Sequence, residues 1–454
     1  MRITVLGTGY LGATHAAAMA ELGFEVLGVD VDPVKVDALS RGELPFHEPG
    51  LPELLRKHTG TGRLRFTTSY EQAGAFGDVH FVGVGTPQRP GSQAADMSYV
   101  EAAVTAIAAA ATRDCVIAGK STVPVGSARR LAALAAEHAR DGVSVELVWN
   151  PEFLREGFAV ADTLSPDRMV LGIADDTGGA AAEAVLRQVY ARQLGSGVPL
   201  IVTDYETAEL VKVAANAFLA TKISFINALS EITETAGGDI RTLADAIGMD
   251  ERIGRKFLNA GVGFGGGCLP KDIRALRARA AELGVGESVR FLAEVEDINT
   301  RRREHTVATV TEMLGGSVVG AQVAVLGAAF KPDSDDVRDS PALDIAARLH
   351  SIGAEVAVVD PQANANAAAR YPRLDYVESL EAAVAGAEVV VLLTEWARFK
   401  AMTPEELAPL VAERRILDGR NVLDPARWTD AGWDYRALGR RATPAGVPEA
   451  VLQE

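Results

Sequence analysis

Gly7-Thr8-Gly9-Tyr10-Leu11-Gly12 follows directly on the β-branched run Arg2-Ile3-Thr4-Val5-Leu6. A helical stretch over 13–22 comes next, ended by Gly23, and a second apolar run over 26–29 stops at Asp30. Strand, glycine turn, helix, strand and acid stand in the order that a dinucleotide site requires. The first glycine makes the turn, the second admits a pyrophosphate, and the third lets helix pack on strand. An acid at 30 accepts hydrogen bonds from the adenosine ribose and repels a 2′-phosphate, which favours NAD over NADP.

Short apolar runs recur at 79–84, 115–118, 145–149, 169–172 and 200–202, separated by helical patterns. That alternation predicts an α/β fold with a doubly wound parallel sheet, a Rossmann domain at the N-terminus. From Tyr205 to about residue 236 the pattern becomes one long helix. Leu210, Val213, Ala214, Ala217 and Phe218 recur there at helical spacing. A second long helical stretch covers 288–314, and long exposed helices of this kind often form dimer interfaces. After Gly315-Gly316 a Rossmann-like unit begins with a run over 322–327, and a run over 355–359 ends in Asp360. Its turn, Gly327-Ala328-Ala329-Phe330-Lys331, lacks the three-glycine pattern, so it would not hold a dinucleotide in the same way. The expected division is 1–203 for the cofactor, 204–314 for a helical centre, 315–442 for a second α/β domain and 443–454 for a flexible tail.

A net charge of −16 argues against a nucleic-acid partner while leaving room for a local cationic pocket. Two cysteines without pairing logic, no leader before the first strand, and no uncharged apolar stretch of about 18 residues point to the cytoplasm, away from membranes. Cys115 lies in an apolar run and reads as core.

The other cysteine ends a glycine-rich turn, Gly263-Phe264-Gly265-Gly266-Gly267-Cys268-Leu269-Pro270-Lys271-Asp272. Glycines leave little to shield the sulfur, and a helix starting near Pro270, with Lys271 beside it, favours thiolate over thiol. Lys212 and Asn216 lie four apart, hence on one helix face, where they can hold a substrate hydroxyl and stabilise charge on its oxygen. Asn150-Pro151-Glu152-Phe153-Leu154-Arg155-Glu156-Gly157 follows a strand, which puts Glu152 and Glu156 at the ligand-binding edge of a parallel sheet. Thr86 and Thr122 also sit just beyond strands, with hydroxyls suited to a cofactor or an ordered water. Lys331, Arg338, Arg252 and Lys256 are cations that could neutralise a diphosphate.

Taken together these motifs resemble the UDP-glucose 6-dehydrogenase family, within the wider group of nucleotide-sugar 6-dehydrogenases, over roughly residues 1–435. The resemblance implies an NAD domain, a helical dimerisation core and a C-terminal UDP-binding domain. It also implies the reaction UDP-glucose + 2 NAD⁺ + H₂O → UDP-glucuronate + 2 NADH. Cys268 would trap the aldehyde as a thiohemiacetal, whose oxidation gives a thioester that water hydrolyses. Lys212, Asn216 and Asp272 would surround the reacting oxygen and a water; which of them is the first base stays open. Glu152 would assist hydrolysis, with Thr122 holding water.

For NAD the resemblance carries over Gly7, Gly9, Tyr10, Leu11, Gly12, Asp30, Lys35, Thr86, Thr122, Glu156, Lys271 and Arg338. For the substrate it gives Glu152, Phe153, Leu154, Arg155, Glu156, Lys212, Asn216, Phe257, Leu258, Asn259, Ala260, Gly261, Gly265 and Lys331. Arg252 and Arg420 match positions at the sugar-nucleotide site, with Arg252 serving a partner subunit. No metal is implied. Gly267 departs from the serine or proline common before the cysteine, which should loosen the turn. GDP-mannose and UDP-N-acetylmannosamine dehydrogenases share this chemistry, but the run Phe257-Leu258-Asn259-Ala260-Gly261 looks most like the UDP-glucose type. Single-step β-hydroxyacid dehydrogenases share Lys-x-x-x-Asn but lack the cysteine turn and the third domain. A sensor without activity would need none of Cys268, Lys212, Asn216 and Asp272 together.

Overall fold

Two parallel-stranded sheets organise the chain, one in each of two compact units: residues 1–215 with 271–286, and 216–270 with the remainder from 287. The computed structural model describes residues 1–441; the tail expected over 443–454 lies outside the described residues.

In the first unit β1 (Arg2–Leu6), β2 (Glu25–Val29), β3 (Leu64–Thr67), β4 (Val79–Val82), β5 (Cys115–Gly119), β6 (Val145–Trp149), β7 (Met169–Gly172) and β8 (Leu200–Thr203) form one sheet. Their order is β3-β2-β1-β4-β5-β6-β7-β8, the dinucleotide-fold order with two strands added at one edge. Side-chain parity explains the layering. Ile3, Val5, Val79 and Phe81 point into one apolar cluster, and Leu6 and Val82 into the other. The sheet is parallel except at one joint. β7 meets β6 antiparallel, through Trp149 and Gly172 alone, and β8 then runs parallel to β7.

In the second unit β9 (Gln322–Leu326), β10 (Glu355–Val359), β11 (Asp375–Tyr376), β12 (Val389–Leu392), β13 (Arg415–Asp418) and β14 (Asp434–Ala437) make a wholly parallel sheet. Its order, β11-β10-β9-β12-β13-β14, is the same winding. Asp360 ends β10 as Asp30 ends β2, but its carboxylate Oδ2 already accepts from the amides of Ala328 (2.7 Å) and Ala329 (2.9 Å) and from the Trp396 indole (3.0 Å).

The long helices fall at Tyr205–Ala236 and Phe291–Met313, the second starting later than expected because Gly286–Val289 is a separate 3₁₀ turn. By length and composition Tyr205–Ala236 could cross a membrane. It is instead built into the protein: Glu209 and Lys212 are buried with ionic or amide partners, and the Ser224 hydroxyl donates to the Val295 carbonyl at 2.7 Å.

Candidate active site

In the first unit the glycine turn behaves as its three positions require. Gly7 has φ +84°, a conformation open to glycine at little cost. A Cβ on Gly12 would lie 1.7 Å from the Gly7 carbonyl oxygen, so no side chain fits between turn and helix. A Cβ on Gly9 would meet nothing within 4 Å. Packing therefore demands Gly12, whereas the space above Gly9 is left for something other than protein. The helix starts at Tyr10, with Gly9 preceding it and no side chain capping its amides, which suits a phosphate at that end.

Asp30 accepts from the Thr8 amide (2.8 Å) and hydroxyl (3.0 Å), the Asp32 amide (3.1 Å) and the Lys35 ammonium (3.0 Å). Burial works to raise this carboxyl. The amides and Lys35 outweigh it and hold Asp30 below the usual carboxylate range, so it stays an anion. A bare cradle at Gly9 and a fixed anion at Asp30 fit the pyrophosphate and adenosine ribose of NAD. Tyr10 turns its hydroxyl to the Gly157 amide, 2.8 Å away, and stacks near Phe46, while Leu11 faces a cavity shared with Glu152.

The loop after β6 carries the acids. Glu152 Oε1 lies 2.9 Å from Lys212 Nζ, and its Oε2 accepts from the Leu154 amide at 2.7 Å. Two cations lie near the Phe153 ring, Arg168 at 3.9 Å and Lys212 at 5.7 Å from its centre. Arg155 pairs with Asp162 through two bonds (2.9 and 2.7 Å), which ties the loop to the helix Ala159–Leu164. Glu156 is half-buried at the end of this loop.

Thr86 donates to the Thr122 carbonyl at 2.8 Å, and Lys271 reaches both Asp272 (2.7 Å) and the Thr86 hydroxyl (3.4 Å). Thr122, Lys271 and buried Asp272 line a cavity of about 20 Å³, room for one water. The turn bearing Thr122 is held from the long helix: Glu209 accepts from the amides of Gly126 and Ala128, both at 2.6 Å. Burial pushes Glu209 up to about 7 against the pull of those amides.

In the second unit Cys268 is exposed and immediately precedes the helix Leu269–Glu282, with Pro270 in its first turn. Burial instead pushes the Cys115 thiol up to about 11, the behaviour of a core cysteine. The glycine run before Cys268 proves to be a packing device. A Cβ on Gly265 would lie 2.3 Å from the Asp339 carbonyl oxygen, and one on Gly267 would lie 2.2 Å from the Arg338 guanidinium carbon. The turn is thus not loosened by Gly267, because Arg338 takes the volume a serine side chain would fill. Asp336 holds Arg338 there at 2.6–2.9 Å.

Phe257 adopts φ +66°, a strained value for a residue with a side chain, at the start of the run to Gly261. Asn259 accepts from Arg255 (2.8 Å), the Ala260 carbonyl accepts from Asn421 (3.3 Å), and the Gly261 amide donates to Asn227 (2.9 Å). Leu258 is buried. Arg420 donates to the carbonyls of Leu393, Gly263 and Phe330, and Lys331 Nζ stands 5.4 Å from the Phe330 ring centre. Arg252 pairs with Asp250 and is 88% exposed. Asn216 lies one helical turn beyond Lys212 and is buried.

Several anchors went unread in the sequence. Glu48 accepts from the amides of Gly157 and Ala159, and Asn299 clasps Phe264 by both its amide and its carbonyl. Lys120 and Tyr190 hold Asn150, just before Glu152. Lys120 was visible as a charge at the end of an apolar strand, directly before Ser121-Thr122.

Comparison with known proteins agrees with this arrangement. Three profiles of the UDP-glucose/GDP-mannose dehydrogenase family match in order: the NAD binding domain over residues 1–193, the central domain over 206–301 and the UDP binding domain over 324–425. The chain is 40% identical to UDP-glucose 6-dehydrogenase YwqF of Bacillus subtilis (strain 168), over 100% of both chains. It is 39% identical to a UDP-glucose 6-dehydrogenase of Rhizobium meliloti (strain 1021), over 97% of this chain and 100% of that one. The solved UDP-glucose dehydrogenase of the hyperthermophilic archaeon Pyrobaculum islandicum superposes with a TM-score of 0.88 at 38% identity, covering 97% of this chain and 98% of that one. The cradle, the acids and the exposed thiol therefore sit in a chain that belongs to the UDP-glucose/GDP-mannose dehydrogenase family.

Proposed function

We propose that this chain is an NAD-dependent UDP-glucose 6-dehydrogenase, which oxidises UDP-glucose to UDP-glucuronate by removing four electrons. The observation that carries the reading is the exposed Cys268 sulfur at a helix start, in a chain whose Gly9 cradle and fixed Asp30 anion suit a dinucleotide. Full-length likeness to relatives with that activity supports the same conclusion.

When bound, NAD supplies the acceptor for the hydride lost at each oxidation, and Gly7, Gly9, Gly12, Asp30, Lys35 and Thr86 would hold it. Lys212 and Asn216 would bind the C6 hydroxyl and steady charge on its oxygen. Cys268 adds to the resulting aldehyde, and the thiohemiacetal keeps a carbon-bound hydrogen for the second oxidation. Thr122 and Asp272 would hold a water in the cavity they line, and Glu152 would draw a proton from the water that opens the thioester. The run 257–261, Gly265, Lys331, Arg338 and Arg420 would serve the nucleotide-sugar and cofactor ends, with Arg252 reaching a partner subunit's site.

Phe218, Phe225 and Ile232 are 66%, 52% and 62% exposed at seven-residue spacing on Tyr205–Ala236, which supports a homodimer through that helix. A cytoplasmic location fits a chemistry that depends on a reduced thiol.

The test is stoichiometry across a panel of nucleotide sugars, with NADH and acid product counted together. Two NADH per UDP-glucuronate are expected, with UDP-glucose preferred. A ratio of one, or preference for GDP-mannose, would overturn the reading.

A further inference from the structure

Beside Glu152, on the wall of the same cavity, lies a second polar centre in the first unit. Lys120 is 8% exposed, and its ammonium donates to Asn150 Oδ1 at 3.1 Å. The Tyr190 hydroxyl donates to the same oxygen at 2.6 Å, and Asn150 Nδ2 donates to the Val170 carbonyl at 2.9 Å. Asn150 is thus fixed from three sides, and Glu152 follows it across Pro151.

Lys120 and Glu152 line one cavity of about 50 Å³. His15 lines it too, with both ring nitrogens buried and without a hydrogen-bond partner. Buried polar nitrogens of this kind are normally satisfied by water, and this cavity has room for it. The charged or titratable groups facing Lys120 are few. They are His15 from the helix Tyr10–Glu21, Tyr190, Glu152, Lys212, and Asp162 and Arg168 on the cavity wall. Burial pulls the Lys120 ammonium down to about 8, with Glu152 acting against the fall and Lys212 adding to it. His15 is held neutral, its affinity for a proton lowered by burial and then by Lys120.

We propose that Lys120 is the proton relay behind Glu152, clearing through the hydrated cavity the proton that Glu152 takes up when water attacks the thioester. Hydrolysis breaks the carbon–sulfur bond and forms a carbon–oxygen bond; of the attacking water's two protons one ends on the departing Cys268 sulfur as thiol, and once the acid product ionises the other remains to be removed. The Glu152 carboxyl passes that proton, across one water, to the neutral amine of Lys120. The carboxylate is restored, and the Lys120 ammonium then releases the proton through the cavity to solvent. No oxidant enters this step. The inference rests on the hydrolytic role read for Glu152, and it gives Lys120 a task done through that residue without touching the sugar.

The experiment is the pH dependence of kcat for the full-length wild type, Lys120→Gln and Lys120→Met, between about pH 6 and pH 10. Wild-type kcat is expected to rise through an inflection near pH 8, where Lys120 becomes neutral. Both variants should lose the inflection, with kcat at high pH down roughly tenfold and KM for UDP-glucose nearly unchanged. Lys120→Gln keeps an amide donor for Asn150, so it carries the test if Lys120→Met folds poorly. A wild type without the inflection, or Lys120→Gln with the wild-type profile and rate, overturns the relay. A failed count of two NADH per sugar, by contrast, removes the reading of the reaction itself.

Discussion

The Arg338 guanidinium occupies the volume that a side chain on Gly267 would need, one residue before the thiol, and Asp336 fastens it there. Gly267→Ser should therefore expel Arg338 from its seat. The KM for NAD is expected to rise roughly fivefold, with UDP-glucose affinity little changed. An unchanged KM for NAD would end the proposal that Arg338 serves the cofactor.

Cys268→Ser should abolish turnover to the acid while binding UDP-glucose within about twofold of wild type by calorimetry, since the proposed role of the sulfur is to react and not to anchor. Near-normal production of acid by this variant would refute the covalent route.

The two helix-start glycines should part company. Gly12→Ala drives a methyl group onto the Gly7 carbonyl and is expected to cost more than about 3 kcal/mol, read as a lowered unfolding midpoint in urea. Gly9→Ala faces open space, so stability should hold within about 0.5 kcal/mol while NAD binding weakens at least tenfold. Equal effects of the two on stability would mean that Gly9 is there for packing.

Buried histidines set an acid limit on the first unit. Burial lowers His80 from 6.5 to about 3, its Nδ1 being 2.6 Å from the Thr4 hydroxyl. The unfolded chain takes up this proton below about pH 6.5 and the folded one only near 3. Stability tied to neutral His80 is thus whole above pH 6.5 and is lost progressively towards pH 3. Between pH 7 and 5 the wild type should lose about 2 kcal/mol relative to His80→Gln. Parallel pH curves for the two proteins would show that His80 is not responsible.

Phe225→Glu puts a charge in the middle of the exposed apolar stripe on Tyr205–Ala236. Light scattering should find the wild type at twice the chain mass and the variant at the chain mass. A wild type that runs as a single chain ends the dimer proposal.

Much of the fold could be read from periodicity, and the exceptions have causes. β1, β6 and β7 fall where the apolar runs predict, because strands buried on both faces leave little else to read. The reversal of β7 was not legible: four apolar residues encode burial but not direction. β3, with Arg65 in its middle, and β11, two residues long, offered no apolar run at all. The glycines before Cys268 were read as exposure for a ligand, whereas Gly265 and Gly267 answer to neighbours seventy residues away. Separation along the chain also hid the contact between Lys212 and Glu152, and the hold of Lys120 on Asn150. Local pattern identifies which residues are chemical; only the tertiary fold says which of them meet.

The saturated carboxylate of Asp360 has a bearing on traffic through the enzyme. Its two oxygens accept from four amides and an indole, and the turn beside it lacks the three-glycine pattern, so the proposed reaction is expected to draw both coenzymes in turn through the Gly9 cradle. On that route spent coenzyme departs and a fresh molecule arrives while the sugar waits half-converted. On the proposed route a covalent tether at Cys268 would hold the sugar through that exchange, which gives one sulfur a task in a protein with two nucleotide folds.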